Sequence, residues 1–166
     1  MVENKPKSKL KIVAATKKDV SLILAFIKEL AEFEKLSNDV LASEEFLTKT
    51  LFGKNPVANV LLAYYGNEPA GFAVYFYNFS TFVGKPGLYL EDVFVKQHFR
   101  GKGIGKAIMI RLAQIAVEKD CGRFEWAVLD WNNSAIDFYK KLGAQPMHEW
   151  TIFRLAGNTL KKLAEN

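Results

Sequence analysis

The sequence predicts an α/β fold, a mixed sheet with helices packed on it, on three observations. Stretches with apolar residues at helical spacing alternate with short runs rich in β-branched and aromatic residues. Two of those runs flank the turn Gly66-Asn67-Glu68-Pro69, which marks an antiparallel hairpin. A third run, LYLEDVFV from Leu88, enters a glycine-rich turn that opens at once into an amphipathic stretch. At 166 residues the chain fits a single domain with a self-sufficient core. Its first nine residues read as a flexible lysine-rich tail.

Leu10–Ala14 reads as a short strand, and Thr16–Asp19 offers helix-start chemistry. Val20, Ile23, Leu24, Ile27, Leu30, Ala31 and Phe33 then recur at near-helical spacing, predicting a helix from about Lys17 to Lys35. Ser43 with Glu44 and Glu45 opens a second, shorter helix that ends before Gly53. Val57–Tyr65 and Ala70–Phe79 are the hairpin strands, and Tyr89–Val95 is a third long strand. The helix after the glycine turn carries Ile104, Ile108, Leu112 and Ile115 on one face. Phe124–Leu129 is an apolar run expected as a buried strand. Asn132, Asn133 or Ser134 can cap a helix that runs to Leu142 and stops at Gly143. Trp150–Leu155 is expected as a final strand, with at most a short helix at Leu160–Leu163.

Composition excludes several classes. Hydrophobic residues make up 49% and charged residues 25%, ordinary for a soluble globular protein. No apolar run approaches the roughly 18 residues of a membrane helix, and the first residues lack the apolar core of a signal peptide. Cys121 is the only cysteine, so an internal disulfide is impossible and a reducing, cytoplasmic setting is expected. It reads as a buried small residue, since a cysteine nucleophile needs a partnered base. His98 and His148 stand apart from other ligands, giving no metal constellation. The net charge of +5 owes much to Lys5, Lys7, Lys9, Lys11, Lys17 and Lys18. With no zinc spacing or RNA-binding sheet signature, that charge reads as a solvated surface and no nucleic acid is expected.

The turn from Arg100 to Lys106 carries the chemistry. Gly101, Gly103 and Gly105 let the backbone fold tightly, and the positive end of the following helix favours an anion. It fails as a nucleoside-triphosphate loop, because Ala107 follows Lys106 where a hydroxyl must hold magnesium. It also lacks the third glycine of a dinucleotide fingerprint. Upstream, Glu91 and Asp92 are strand neighbours whose side chains alternation sends to opposite faces, so the two are not expected to share one task.

Arg100-Gly-Lys-Gly103-Ile-Gly105 matches the R/Q-x-x-G-x-G/A pyrophosphate motif of the GNAT superfamily of N-acetyltransferases. Within it the chain most resembles the spermidine/spermine (diamine) acetyltransferases, through IKELAEFE, LYLEDVFV, RGKGIG and AVLDWNNSAIDFYKKLGA. The likeness spans about Ile12 to Arg154. It implies a single-domain mixed, mostly antiparallel sheet flanked by helices, the acyl-CoA N-acyltransferase fold. It also implies acetyl-CoA as co-substrate, no metal, no membrane, a homodimer, and direct attack by a primary amine on the thioester. The amine would be a polyamine or diamine, or alternatively a lysine-like amino acid such as thialysine, or a protein. A CoA-binding sensor without catalysis is the rival class.

The resemblance assigns residues as well. Backbone groups of Val93, Phe94 and Val95 would hold the pantetheine arm, in a splayed gap beside Phe124–Leu129; by pattern alone they are a plain buried strand. Arg100, Gly101, Lys102, Gly103, Ile104, Gly105 and Lys106 would hold the pyrophosphate, and Asn132 would touch the CoA arm or cap its helix. Tyr139 would return a proton to the departing thiolate; pattern alone makes it an amphipathic core tyrosine. Glu91 would accept the amine's proton, with Asp92 as a substrate-side carboxylate. For a cationic substrate, Phe33, Glu34, Trp126, Glu125, Glu149 and Trp150 supply acids and aromatic faces. Phe33-Glu34 stands where the family has a tyrosine–glutamate pair, and the segment 145–150 is shorter than in the family.

Overall fold

The computed structural model describes residues 9–165. Apart from Lys9, the predicted tail lies outside the described residues. Two compact units divide the chain, one ending at Ala127 and one beginning at Val128.

The first unit is built on a five-stranded sheet in the order β1 (Leu10–Ala14), β2 (Asn59–Tyr65), β3 (Glu68–Ser80), β4 (Lys85–Val95) and β5 (Arg123–Trp126). Neighbours are antiparallel except β4 and β5, which run parallel. Parallel neighbours need a crossover, and helix α3 (Ile104–Glu118) supplies it. The hairpin turn is tighter than the four residues expected. Tyr65 already pairs with Glu68, and Gly66 sits at φ 65°, a conformation that costs glycine nothing.

Helix α1 (Val20–Phe33) follows a 3-10 turn at Lys17–Asp19, where the Asp19 carboxylate accepts from the Thr16 amide at 2.7 Å and the Thr16 hydroxyl at 2.8 Å. Helix α2 (Glu44–Phe52) is capped by Ser43, whose hydroxyl accepts from the Phe46 amide. Along β3, Phe72, Val74, Phe76 and Asn78 share one face by alternation. Phe72 and its partner Phe94 are buried there against Ile23, Phe26 and Leu30 of α1, with Phe26 and Phe72 stacked at 5.2 Å. The opposite set, including Ala73, Leu88 and Leu90, is buried with the predicted α3 face of Ile104, Ile108, Leu112 and Ile115. Each such large side chain contributes about 1.5–3 kcal/mol by leaving water.

Two expectations need correction here. β5 ends at Trp126 rather than Leu129, and Phe124 and Trp126 are half-buried, as suits an edge strand. Its only partner among the described residues is β4, and the ladder stops at Leu90↔Trp126. Immediately beyond, β4 is irregular: Tyr75 pairs with Leu90 and Val74 with Asp92, so Glu91 has no counterpart. An extra residue of this kind bends its strand and ends regular pairing.

The second correction concerns the second unit, which holds α4 (Asn133–Lys141) and α5 (Gly157–Ala164). Asn132 caps α4, its side chain accepting from the Ala135 amide at 3.2 Å, and Gly143 follows the helix at φ 91°. Trp150–Leu155 forms no strand, and Trp150, Ile152, Phe153 and Leu155 are exposed. β-propensity expresses fit to a pleated neighbour, and none of the described strands pairs with this segment.

Candidate active site

After β4, a 3-10 turn at Gln97–Phe99 leads into the glycine turn. Gly101 and Gly103 both sit at φ 77°, and nothing lies within 4 Å of a Cβ at either, so their backbone conformation, rather than crowding, demands glycine. Gly103 is the N-cap of α3, and no side chain caps it. The first amides of the helix thus face outward behind a turn that keeps side chains away, an arrangement suited to an anion. Ile104 is buried, so only its backbone can serve a ligand.

The cations of the turn are partly committed to the protein. Arg100 Nε donates to the Val95 carbonyl at 3.0 Å, and its guanidinium lies 4.5 Å over the Phe33 ring and 5.8 Å from that of Phe94. Lys102 Nζ lies 4.9 Å from the rings of both Tyr65 and Phe99. Phe33 therefore ties the end of α1 to the end of β4. No local sequence pattern signals this contact, since the partners are far apart along the chain.

Past the bulge, β4 continues from Glu91 to Val95 with one edge paired to β3 and the other without a strand among the described residues. Val93, Phe94 and Val95 lie here as expected, although the Val95 carbonyl already accepts from Arg100. An open strand edge ahead of an uncapped, glycine-led helix fits the pantetheine arm and pyrophosphate of acetyl-CoA.

The acids are the second feature. The register shift at Glu91 interrupts the regular alternation on which a separation of Glu91 and Asp92 to opposite faces rests. Asp92 is half-buried on the α1 face, beside Val74, and its carboxyl is raised to about 6. Burial is the main cause, and the charges of Glu91 and then Glu34 add to it. Glu34, at the end of α1, is itself raised by burial. None of the three forms an ion pair among the described residues. They make a negative site without a cation of its own.

Other predicted residues fall elsewhere. Trp126 pairs with Leu90 and packs its ring 4.8 Å from Phe124, so it lies on the sheet face opposite Asp92. Glu125 shares the Asp92 face, through its partner Tyr89 and a hydrogen bond from Asn78 at 3.3 Å. In the second unit, Tyr139 is half-buried on α4 with its ring 5.3 Å from Phe138, and burial raises its hydroxyl pKa. The phenol thus keeps its proton at neutral pH. Glu149 and Trp150 are exposed in the irregular segment.

This fold and turn define an acetyltransferase, and comparison with known proteins places the chain within the class. The sequence model described as Acetyltransferase (GNAT) family matches residues 24–144, and the chain belongs to that family. It is 42% identical to a thialysine N-epsilon-acetyltransferase of Sus scrofa over 88% of this chain and 92% of that protein. It is 33% identical to a human spermidine/spermine N(1)-acetyltransferase-like protein 1, over 88% of this chain but 22% of that one. An integron cassette protein from the V. cholerae mobile metagenome matches in structure with a TM-score of 0.81 at 32% identity, covering 96% of this chain and all of that one. Acetyl transfer to an amine is accordingly the chemistry that membership of this family supports. No helix among the described residues is long and apolar enough to cross a membrane.

Proposed function

We propose that this protein acetylates the side-chain amine of a small cationic amino acid of the thialysine or lysine kind. The observation that carries this reading is the carboxylate group Glu34, Glu91 and Asp92, which has no protein cation among the described residues. An ammonium would relieve its repulsion. The resemblance first pointed to a polyamine, with thialysine second; the 42% identical relative, named for thialysine, supports the second.

Acetyl-CoA supplies the activated acetyl group. The α3 amides behind Gly101 and Gly103 would hold its pyrophosphate, and the open β4 edge at Val93–Val95 its pantetheine arm. Lys102 and Lys106 add positive charge at the turn, while Arg100 chiefly fixes its shape. An amine attacks only after losing a proton. A carboxylate whose pKa is about 6 is well matched to take it near neutral pH. Glu91 is the family's candidate base, and the raised Asp92 beside it makes the pair the acceptor. Tyr139, neutral because of burial, would give a proton to the departing thiolate. A homodimer in the cytoplasm completes the proposal on resemblance alone.

The test is thiol release from acetyl-CoA with thialysine, lysine, ornithine, spermidine, spermine, putrescine and a histone-tail peptide. Highest kcat/KM with thialysine or lysine supports the proposal. Faster turnover of spermidine or putrescine restores the polyamine reading, and CoA binding without any turnover means a sensor.

A further inference from the structure

We infer that the Arg123–Glu125 ion pair reads the α-carboxylate and α-ammonium of an amino-acid substrate whose side-chain amine sits at Asp92, selecting amino acids over diamines. The inference rests on the proposed function and adds Arg123, Asn78 and Gly87, which the resemblance does not name, to Glu125. Asp92, Glu125 and Arg123 occupy successive rows of one sheet face: Asp92 beside Val74, Glu125 in line with Tyr89 and Phe76, and Arg123 in line with Gly87 and Asn78. At about 3.3 Å per residue the first two rows are ~7 Å apart and the outer two ~13 Å. That spacing is comparable with the reach of an extended lysine. Phe76 and Tyr89, their rings 5.1 Å apart, form an aromatic floor between the ends, suited to a methylene chain. Tyr89 lies within the electrostatic reach of both Glu91 and Glu125, which ties the two ends to one surface.

The far end is built with care for a pair of little value to the fold. Arg123 Nε lies 2.8 Å from Glu125 Oε2, yet both side chains are more than a third exposed, where such a pair adds at most about 1 kcal/mol. Asn78 reaches from β3 across β4 to donate to the same Glu125 oxygen. Only glycine at position 87 allows that crossing, because a Cβ there would lie 2.2 Å from Asn78 Oδ1 and 3.0 Å from Arg123 Cγ. Half-exposed and of opposite sign, the pair complements a zwitterion. A diamine offers an ammonium at each end and brings no carboxylate to the Arg123 guanidinium, so its second cation can use only Glu125 and stands beside a like charge.

Lysine and cadaverine differ only by the carboxylate, as do ornithine and putrescine, so their ratios of kcat/KM isolate this end. In Arg123→Gln the lysine-over-cadaverine ratio should fall by about tenfold or more, through KM rather than kcat, as expected for loss of a charge-assisted contact. Arg123→Lys should restore part of it. Each ratio is measured within one protein, so partial loss of folded enzyme cancels. An unchanged ratio in Arg123→Gln overturns the inference while leaving the amino-acid reading intact. A wild-type enzyme that turns over none of thialysine, lysine and ornithine refutes that reading, and the inference with it.

Discussion

Asp92→Asn tests the carboxylate site without substrate. Moving a carboxyl from 3.8 to about 6 costs its ionised form on the order of 3 kcal/mol, at 1.36 kcal/mol per pH unit. Asparagine mimics the neutral form, so the variant should be more stable than wild type by up to about 3 kcal/mol at pH 7–8. In a chain of this length that corresponds to roughly 6–12 °C in Tm. The sign follows from proton linkage. Between about pH 4 and pH 6 the folded state holds a proton on Asp92 that the unfolded state has released, so wild-type stability rises relative to the variant as pH falls through 6. The gap is full above about pH 6 and closes near pH 4. Urea unfolding of both proteins across this range, at equal m, measures it. A variant that is destabilised at pH 8, or a gap independent of pH, would refute the reasoning. The same substitution should lower kcat/KM for the amine, and wild-type kcat/KM should decline below about pH 6 as Asp92 gains its proton.

Tyr139→Phe should reduce kcat by about 100-fold while leaving acetyl-CoA affinity nearly unchanged, measured by steady-state kinetics beside calorimetric binding; full activity would exclude the acid role. Gly103→Ala forces an alanine into φ 77°, so it should cost about 1–2 kcal/mol in urea unfolding and raise KM for acetyl-CoA. Ile108→Ala empties a fully buried position on α3 and should cost about 2–5 kcal/mol without changing which amine is preferred.

Periodicity and turn chemistry made most of the first unit legible. Leu10–Ala14, the Ser43 cap, the hairpin and the apolar face of α3 depend on residues a few positions apart, and their spacing is written along the chain. The glycine turn was legible for the same reason, since Gly101 and Gly103 meet a local backbone demand. What failed were expectations about partners. Trp150–Leu155 has the composition of a strand but pairs with none of the described strands, and the strand within Phe124–Leu129 stops where the ladder to β4 reaches the β4 bulge.

The sequence by itself determined the order of elements in the first unit, the glycine turn and the residue types available for acetyl transfer. Tertiary structure decided which acids feel one another's charge. Alternation along an ideal strand separates Glu91 from Asp92, but a bulge interrupts it opposite Val74 and Tyr75, and the charges of Glu91 and Glu34 both act on the Asp92 carboxyl. It also joined Arg123, Glu125 and Asn78 across Gly87, and Arg100 to Phe33. Register between strands and the docking of α1 arise from contacts among residues far apart in the chain, and no local window of sequence encodes them.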